Sequence, residues 1–93
     1  MLEEHLAVGW EYDVEVVFEA AVGTVKTCLP RALGRIEPVD EQTCRLVGST
    51  SNPYWYAEML AGTSAPYRIV AGAEVQRAAR AIGRRLLEAA GDS

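Results

Sequence analysis

The sequence predicts an α+β domain built on a four-stranded antiparallel sheet, and three observations carry that reading. Tyr12 to Phe18 alternates strictly, with Tyr12, Val14, Val16 and Phe18 on one side and Asp13, Glu15 and Val17 on the other. That period of two is the mark of a half-buried strand. Ser51-Asn52-Pro53 is a strong helix start, because Asn52 can accept from free amides of the first turn and Pro53 suits the first helical position. Finally, Pro38 and Pro66 fall in two of the four candidate strands and none falls in the other two, which separates edge strands from central ones.

Taken in order, residues 1–11 show no clear period and read as an arm or linker, and His5 within it has no assigned role. After the first strand, Ala20 to Leu29 reads as a helix with Val22, Val25, Cys28 and Leu29 at helical spacing. Gly23 weakens it and Pro30 closes it. Gly34 to Val39 is a short strand with Ile36 facing inward. Asp40 to Thr43 is a polar turn, and Cys44 to Gly48 returns to complete a hairpin. The helix from Pro53 carries Trp55, Tyr56, Met59 and Leu60 on one apolar side and stops at Gly62. Pro66 to Ala71 is the fourth strand, with Tyr67, Ile69 and Ala71 on one face. The last helix spans Ala73 to Ala90, with Val75, Ala79, Ile82 and Leu86 as its buried stripe, widened by Ala78 and Ala89. Residues 12–90 thus form one domain and residues 91–93 a tail.

The order β-α-β-β-α-β is the ferredoxin-like split βαβ arrangement, here with an extra C-terminal helix. Right-handed crossovers put the first and third strands in the centre. Two helices then cover the face carrying Val14, Val16, Phe18, Ile36, Leu46 and Ile69. The opposite face shows Glu15, Val17, Arg35, Glu37, Val39, Arg45, Val47, Arg68 and Val70. Four valines are more than a solvated face usually presents, so either the last helix folds back over them or another domain or subunit does. Intramolecular cover is the simpler expectation. Glu15 and Arg45, on adjacent central strands, are placed to pair.

Ninety-three residues with a net charge of −4 make one small acidic domain, which argues against a dedicated nucleic-acid binder. The first twenty residues hold six acids and no Lys or Arg, unlike a secretory signal, and no apolar run is long enough to span a bilayer. Cys28 and Cys44 match no disulfide framework and no zinc or redox spacing, so both are expected to be reduced packing residues in a cytoplasmic protein.

No catalytic or metal-binding constellation is visible, and no cofactor is called for. The glycines at 9, 23, 34 and 48 are isolated rather than a phosphate loop. Ser49-Thr50-Ser51-Asn52 precedes a helix, so it reads as a cap and, alternatively, as an anion site of a small-ligand sensor of the ACT-like kind. Arg77, Arg80 and Arg84 form a basic side on the last helix, which is either a solvated face or a nucleic-acid contact. Tyr54 is turned away from the apolar side of its helix and is a candidate for outside contact.

Several stretches together resemble the C-terminal extension domain (WCX) of bacterial WYL-domain transcriptional regulators. They are Asp13-Val14-Glu15-Val16-Val17-Phe18, Leu29-Pro30, the run Gly34 to Leu46, Asn52-Pro53-Tyr54-Trp55-Tyr56-Ala57 with Leu60, and Glu74-Val75 opening a long Arg- and Ala-rich helix. Where that family often has Pro-Glu-Leu at the start of its last helix, Gly72-Ala73-Glu74-Val75 stands here. The resemblance implies a non-enzymatic regulatory and dimerisation domain. Its partners would be its own upstream WYL and helix-turn-helix domains and a second copy, with DNA contacted through the full-length regulator and no membrane involved. The residues expected at such an interface are Val17, Arg45, Val47, Arg68, Val70 and Tyr54.

Overall fold

The computed structural model describes residues 11–91; the predicted arm before Glu11, His5 included, and the last two residues of the tail lie outside that range. Four strands, β1 (Tyr12–Phe18), β2 (Arg35–Asp40), β3 (Thr43–Thr50) and β4 (Tyr67–Ala71), form one sheet in the order β2-β3-β1-β4. Every neighbouring pair is antiparallel. The helices are α1 (Val22–Cys28), α2 (Pro53–Ala61) and α3 (Ala73–Ala90), with a 3₁₀ turn at Arg31–Leu33. The strand holding Pro38 and the strand that Pro66 immediately precedes are the two edges, as the ladder's need for N–H donors requires.

The core lies between the sheet and its helices. Val14, Val16, Phe18, Cys44 and Leu46 rise from the sheet into Val25 and Leu29 of the α1 region, Tyr56, Ala57 and Leu60 of α2, and Val75 and Ile82 of α3. Trp55, Met59, Ile36 and Ile69 pack half-buried around this centre. The inward set on β1 and β3 is the one that period-two alternation dictates. On α2, Ala57 joins Tyr56 and Leu60 in the core because it falls beside them on the same helical face.

The 3₁₀ turn was invisible in the hydrophobic pattern, yet it holds the most constrained contact of the fold. Leu33 is fully buried. Its carbonyl accepts a 2.6 Å hydrogen bond from the buried Tyr56 hydroxyl. The same oxygen lies against Gly48, where a Cβ would come within 2.0 Å of it. Opposite, Gly34 has φ +139° and its Cβ position is filled by the Val47 carbonyl. Gly34 and Gly48, isolated in sequence, therefore face one another across β2 and β3.

Other departures from expectation have local causes. Burial on α1 falls on Val25 and Leu29, while Cys28 is exposed, so only Cys44 of the two thiols is a packing residue. The register of β4 shifts between its pairings with Glu15 and Val16, so Val70 is an extra residue. Ala71 consequently sits opposite Glu15 and is exposed, rather than facing inward. On α3 the buried stripe ends at Ile82: Leu86 is 56% exposed, Leu87 75%, and Ala89 is exposed as well. The core's depth covers only the first three turns of this eighteen-residue helix.

The two glycine environments give opposite outcomes for one substitution. Gly48→Ala forces Cβ onto the Leu33 carbonyl and is expected to prevent stable folding or lower the urea midpoint severely. Gly83→Ala meets nothing within 4 Å and is expected to stabilise by about 1 kcal/mol through helix propensity. Equal effects in urea titration would contradict the packing described. For Tyr56, burial pushes the phenol up to about 12. The folded chain thus holds this proton more tightly than the unfolded chain. That stability is complete below the ordinary phenol value of about 10 and is lost as pH rises through it toward the folded value. Tyr56→Phe is expected to cost about 1–3 kcal/mol at neutral pH, because the Leu33 carbonyl loses its partner, and to flatten the loss of stability between about pH 10 and 12.

Candidate functional site: the open face of the sheet

Alternation along the strands sends Glu15 and Val17 of β1, Arg35 and Glu37 of β2, Arg45 and Val47 of β3, and Arg68 of β4 to the side away from the helices. The simpler expectation, that the last helix folds back over this face, is overturned. α3 packs on α2 and sends Val75 and Ile82 into the core on the other side. Among the described residues no element covers the open face.

Register arranges the face in rows. One row runs Arg35, Val47, Glu15, Ala71; the next runs Glu37, Arg45, Val17, Arg68. Within them lies a continuous chain of ion pairs. Arg35 Nε donates to Glu37 Oε2 at 2.7 Å, Arg45 Nη2 to Glu37 Oε1 at 2.8 Å, and Arg45 Nη1 to Glu15 Oε2 at 3.3 Å. The expected Glu15–Arg45 pair exists, and Glu37 extends it across three strands. Hydrogen bonds from Arg45 and then Arg35 hold the Glu37 carboxyl below the usual glutamate range. Arg45 is held correspondingly more basic by Glu37 and Glu15. Such exposed pairs add little to stability; their effect is to fix side chains around Val17 and Val47, both half-buried at the centre of the face. Val70 is 46% and Val39 58% exposed at the two margins.

Beyond the chain of charges, the strand ends Glu19, Thr43 and Pro66 frame a depression of about 760 Å³. Its floor and walls include Val17, Arg68, Val70, Tyr67 and Gln42. Nothing in the spacing of these residues marked it, because the strands that bring them together are far apart in sequence.

The remaining candidates fall elsewhere. At the start of α2, the Asn52 carboxamide oxygen accepts from the Trp55 amide at 3.1 Å, and the Thr50 hydroxyl accepts from the Asn52 amide at 2.9 Å. Ser49 donates to the Glu11 carboxylate at 2.8 Å. These side chains are occupied in capping and in anchoring Glu11, and the carboxylate beside Ser49 repels an anion. Tyr54 lies under the Arg85 guanidinium, 5.5 Å from ring centre to carbon, and Arg85 also approaches Glu58 at 3.6 Å. That cluster joins α2 to α3 and occupies one face of the Tyr54 ring. Arg77, Arg80 and Arg84 are all exposed on α3, and a shallow apolar groove beside Arg80 and Arg84 is lined by Gly83, Leu86 and Leu87. Among the described residues no three His, Cys, Asp or Glu side chains are grouped to hold a metal ion, and no helix is long and apolar enough to cross a membrane.

Comparison with protein-family models, curated proteins and solved structures finds no match to this chain. The functional reading therefore rests on the open face and on the chemistry arranged there.

The ion-pair chain sets a clear titration. Glu37 is expected to ionise below the usual glutamate range when its carboxyl is followed by NMR. The contribution of its pairing to stability is present above the unfolded glutamate value and is lost as pH falls through the lower folded one. In Arg45→Met the Glu37 titration should move upward, and molar salt should shrink the difference. An unmoved Glu37 would show that Arg45 is not its principal partner.

Proposed function

We propose that this chain is a non-catalytic regulatory and dimerisation domain, the C-terminal extension of a WYL-type helix-turn-helix transcriptional regulator, acting through the open face of its sheet. The observation that carries the reading is the uncovered pairing of apolar and charged side chains there. Val17 and Val47 lie at the centre of a sheet face that no described element covers, within a frame of arginines and glutamates fixed by mutual hydrogen bonds. A small apolar centre inside a polar rim is the ordinary anatomy of a protein interface. The prearranged charges favour one partner orientation over others. The resemblance of the β2–β3 hairpin sequence and the Asn52-Pro53-Tyr54-Trp55 helix start to the WCX domain supplies the partners: a second copy, or the sensor domain upstream. DNA would then be read by the regulator's N-terminal domain, with Val17, Arg45, Val47, Arg68 and Val70 transmitting the subunit or interdomain contact.

Light scattering of the chain and of its Val47→Glu variant tests this. The unmodified chain should show concentration-dependent mass, or measurable affinity for its upstream domain. A buried glutamate at position 47 should weaken either contact by about tenfold or more, equivalent to about 1.4 kcal/mol or more. Strictly monomeric behaviour, indifference to Val47→Glu and no affinity for the neighbouring domain would together refute the interface.

A further inference from the structure

The depression at the end of the open face sets Arg68, a residue of the proposed interface, beside Glu19, which that interface does not use. The Glu19 amide donates to the Pro66 carbonyl at 2.9 Å, so the β1–β4 ladder continues one step past Phe18 and Tyr67 and sets Glu19 opposite Pro66. Arg68, opposite Val17, is then the diagonal neighbour of Glu19, a relation that places two residues roughly 7–8 Å apart on the same face. Both line the depression. Yet among the described residues neither makes an ion pair, although Arg35, Arg45 and Arg85 all do. Between them lie the side chains of Val17 and Val70. Gln42 adds an amide at the rim. The volume of about 760 Å³ falls in the range of small-molecule sites.

We infer that this depression binds a free α-amino acid with an apolar side chain. Arg68 receives the carboxylate, which a guanidinium grips through two parallel N–H donors. Glu19, with Gln42 beside it, accepts from the ammonium group. The side chain lies on Val17 and Val70. A simple anion would leave Glu19 unpaired and repelling it, and a simple cation would do the same with Arg68; a zwitterion satisfies both. Neighbouring Arg45 does not compete for the carboxylate, since Glu15 and Glu37 already hold it. The site stands on the geometry of the strand ends and does not depend on the regulatory reading. It overlaps the proposed interface at Val17, Arg68 and Val70, while Arg45 and Val47 lie outside it.

The test is calorimetry and amide NMR on the whole chain with L-leucine, with 3-methylbutylamine, which lacks the carboxylate, and with 4-methylpentanoate, which lacks the ammonium group. Leucine should bind and shift the amides of Val17, Glu19 and Arg68, and each truncated probe should bind about tenfold more weakly or worse. Arg68→Gln and Glu19→Gln should each reduce leucine affinity by a similar factor while leaving the circular dichroism spectrum unchanged; Arg80→Gln, on α3, should have no effect. Absence of leucine binding at millimolar concentration overturns the site. So does equal binding of leucine and 4-methylpentanoate with Glu19→Gln silent, or a response mapped to other residues. Solution mass with Val47→Glu is read separately, so failure of the ligand site and failure of the interface are distinguishable.

Discussion

The hydroxyl of Tyr56 on the carbonyl of Leu33 is the contact on which the rest of this small domain depends. It joins α2 to the 3₁₀ turn ahead of β2, two segments twenty-three residues apart. The geometry works only because position 48 has no side chain, so that the Leu33 carbonyl can lie against the β3 backbone. Gly34 completes the arrangement from the other side with a positive φ that a residue with a side chain would resist. Four residues with no pattern in common thus decide how the β2–β3 hairpin meets the helical layer. In a chain this short, with a modest core, one satisfied buried hydroxyl is a sizeable fraction of the net stability.

Much of the architecture was legible in the sequence because it rests on periodicity and chain chemistry. Alternation placed β1 to the residue, the Asn52-Pro53 cap placed α2, and Pro38 and Pro66 identified the edges. What escaped depends on contacts between distant segments. The apolar spacing of α3 continues through Leu86, but the core does not extend that far, and periodicity carries no information on where a partner surface ends. The extra residue at Val70 is equally silent in sequence: a five-residue strand reads the same with or without a bulge, yet the shift exchanges the side on which Ala71 emerges. Cys28 fits a helical stripe and is nonetheless exposed, because α1 is only two turns long and its buried side is used up by Val25 and the following Leu29.

The open face was legible as a list of residues and not as a surface. Alternation gave its members, and adjacent central strands gave the Glu15–Arg45 pair. Register supplied what alternation does not: that Glu37 bridges Arg35 and Arg45, and that Arg68 stands beside Val17 without joining that chain of ion pairs. The result is a face with two electrostatic regimes. Across β2, β3 and β1 the charges neutralise one another and present fixed hydrogen-bonding groups. At the ends of β1 and β4 an arginine and a glutamate make no ion pair within the described chain, with Val17 and Val70 beside them. Prearranged charge of the first kind favours docking geometry, and separated charge of the second kind favours a ligand that carries both signs.

The last turns of α3 have a further consequence, in the dynamics of the chain. Val75 and Ile82 tie the first half of the helix into the cooperative unit that unfolds with the sheet. From Arg84 onward every described residue is exposed; Arg85 reaches Tyr54 and Glu58, and Leu86 borders a small cavity shared with Ala57, Ala61 and Tyr67. Amide protons of the second half are held by helix propensity and these few surface contacts and exchange through local opening, whereas those of the first half exchange only when the domain opens as a whole. A single helix is thereby divided into a rigid root and an independently fraying end, and the Arg85–Tyr54–Glu58 cluster marks the boundary at which one regime gives way to the other.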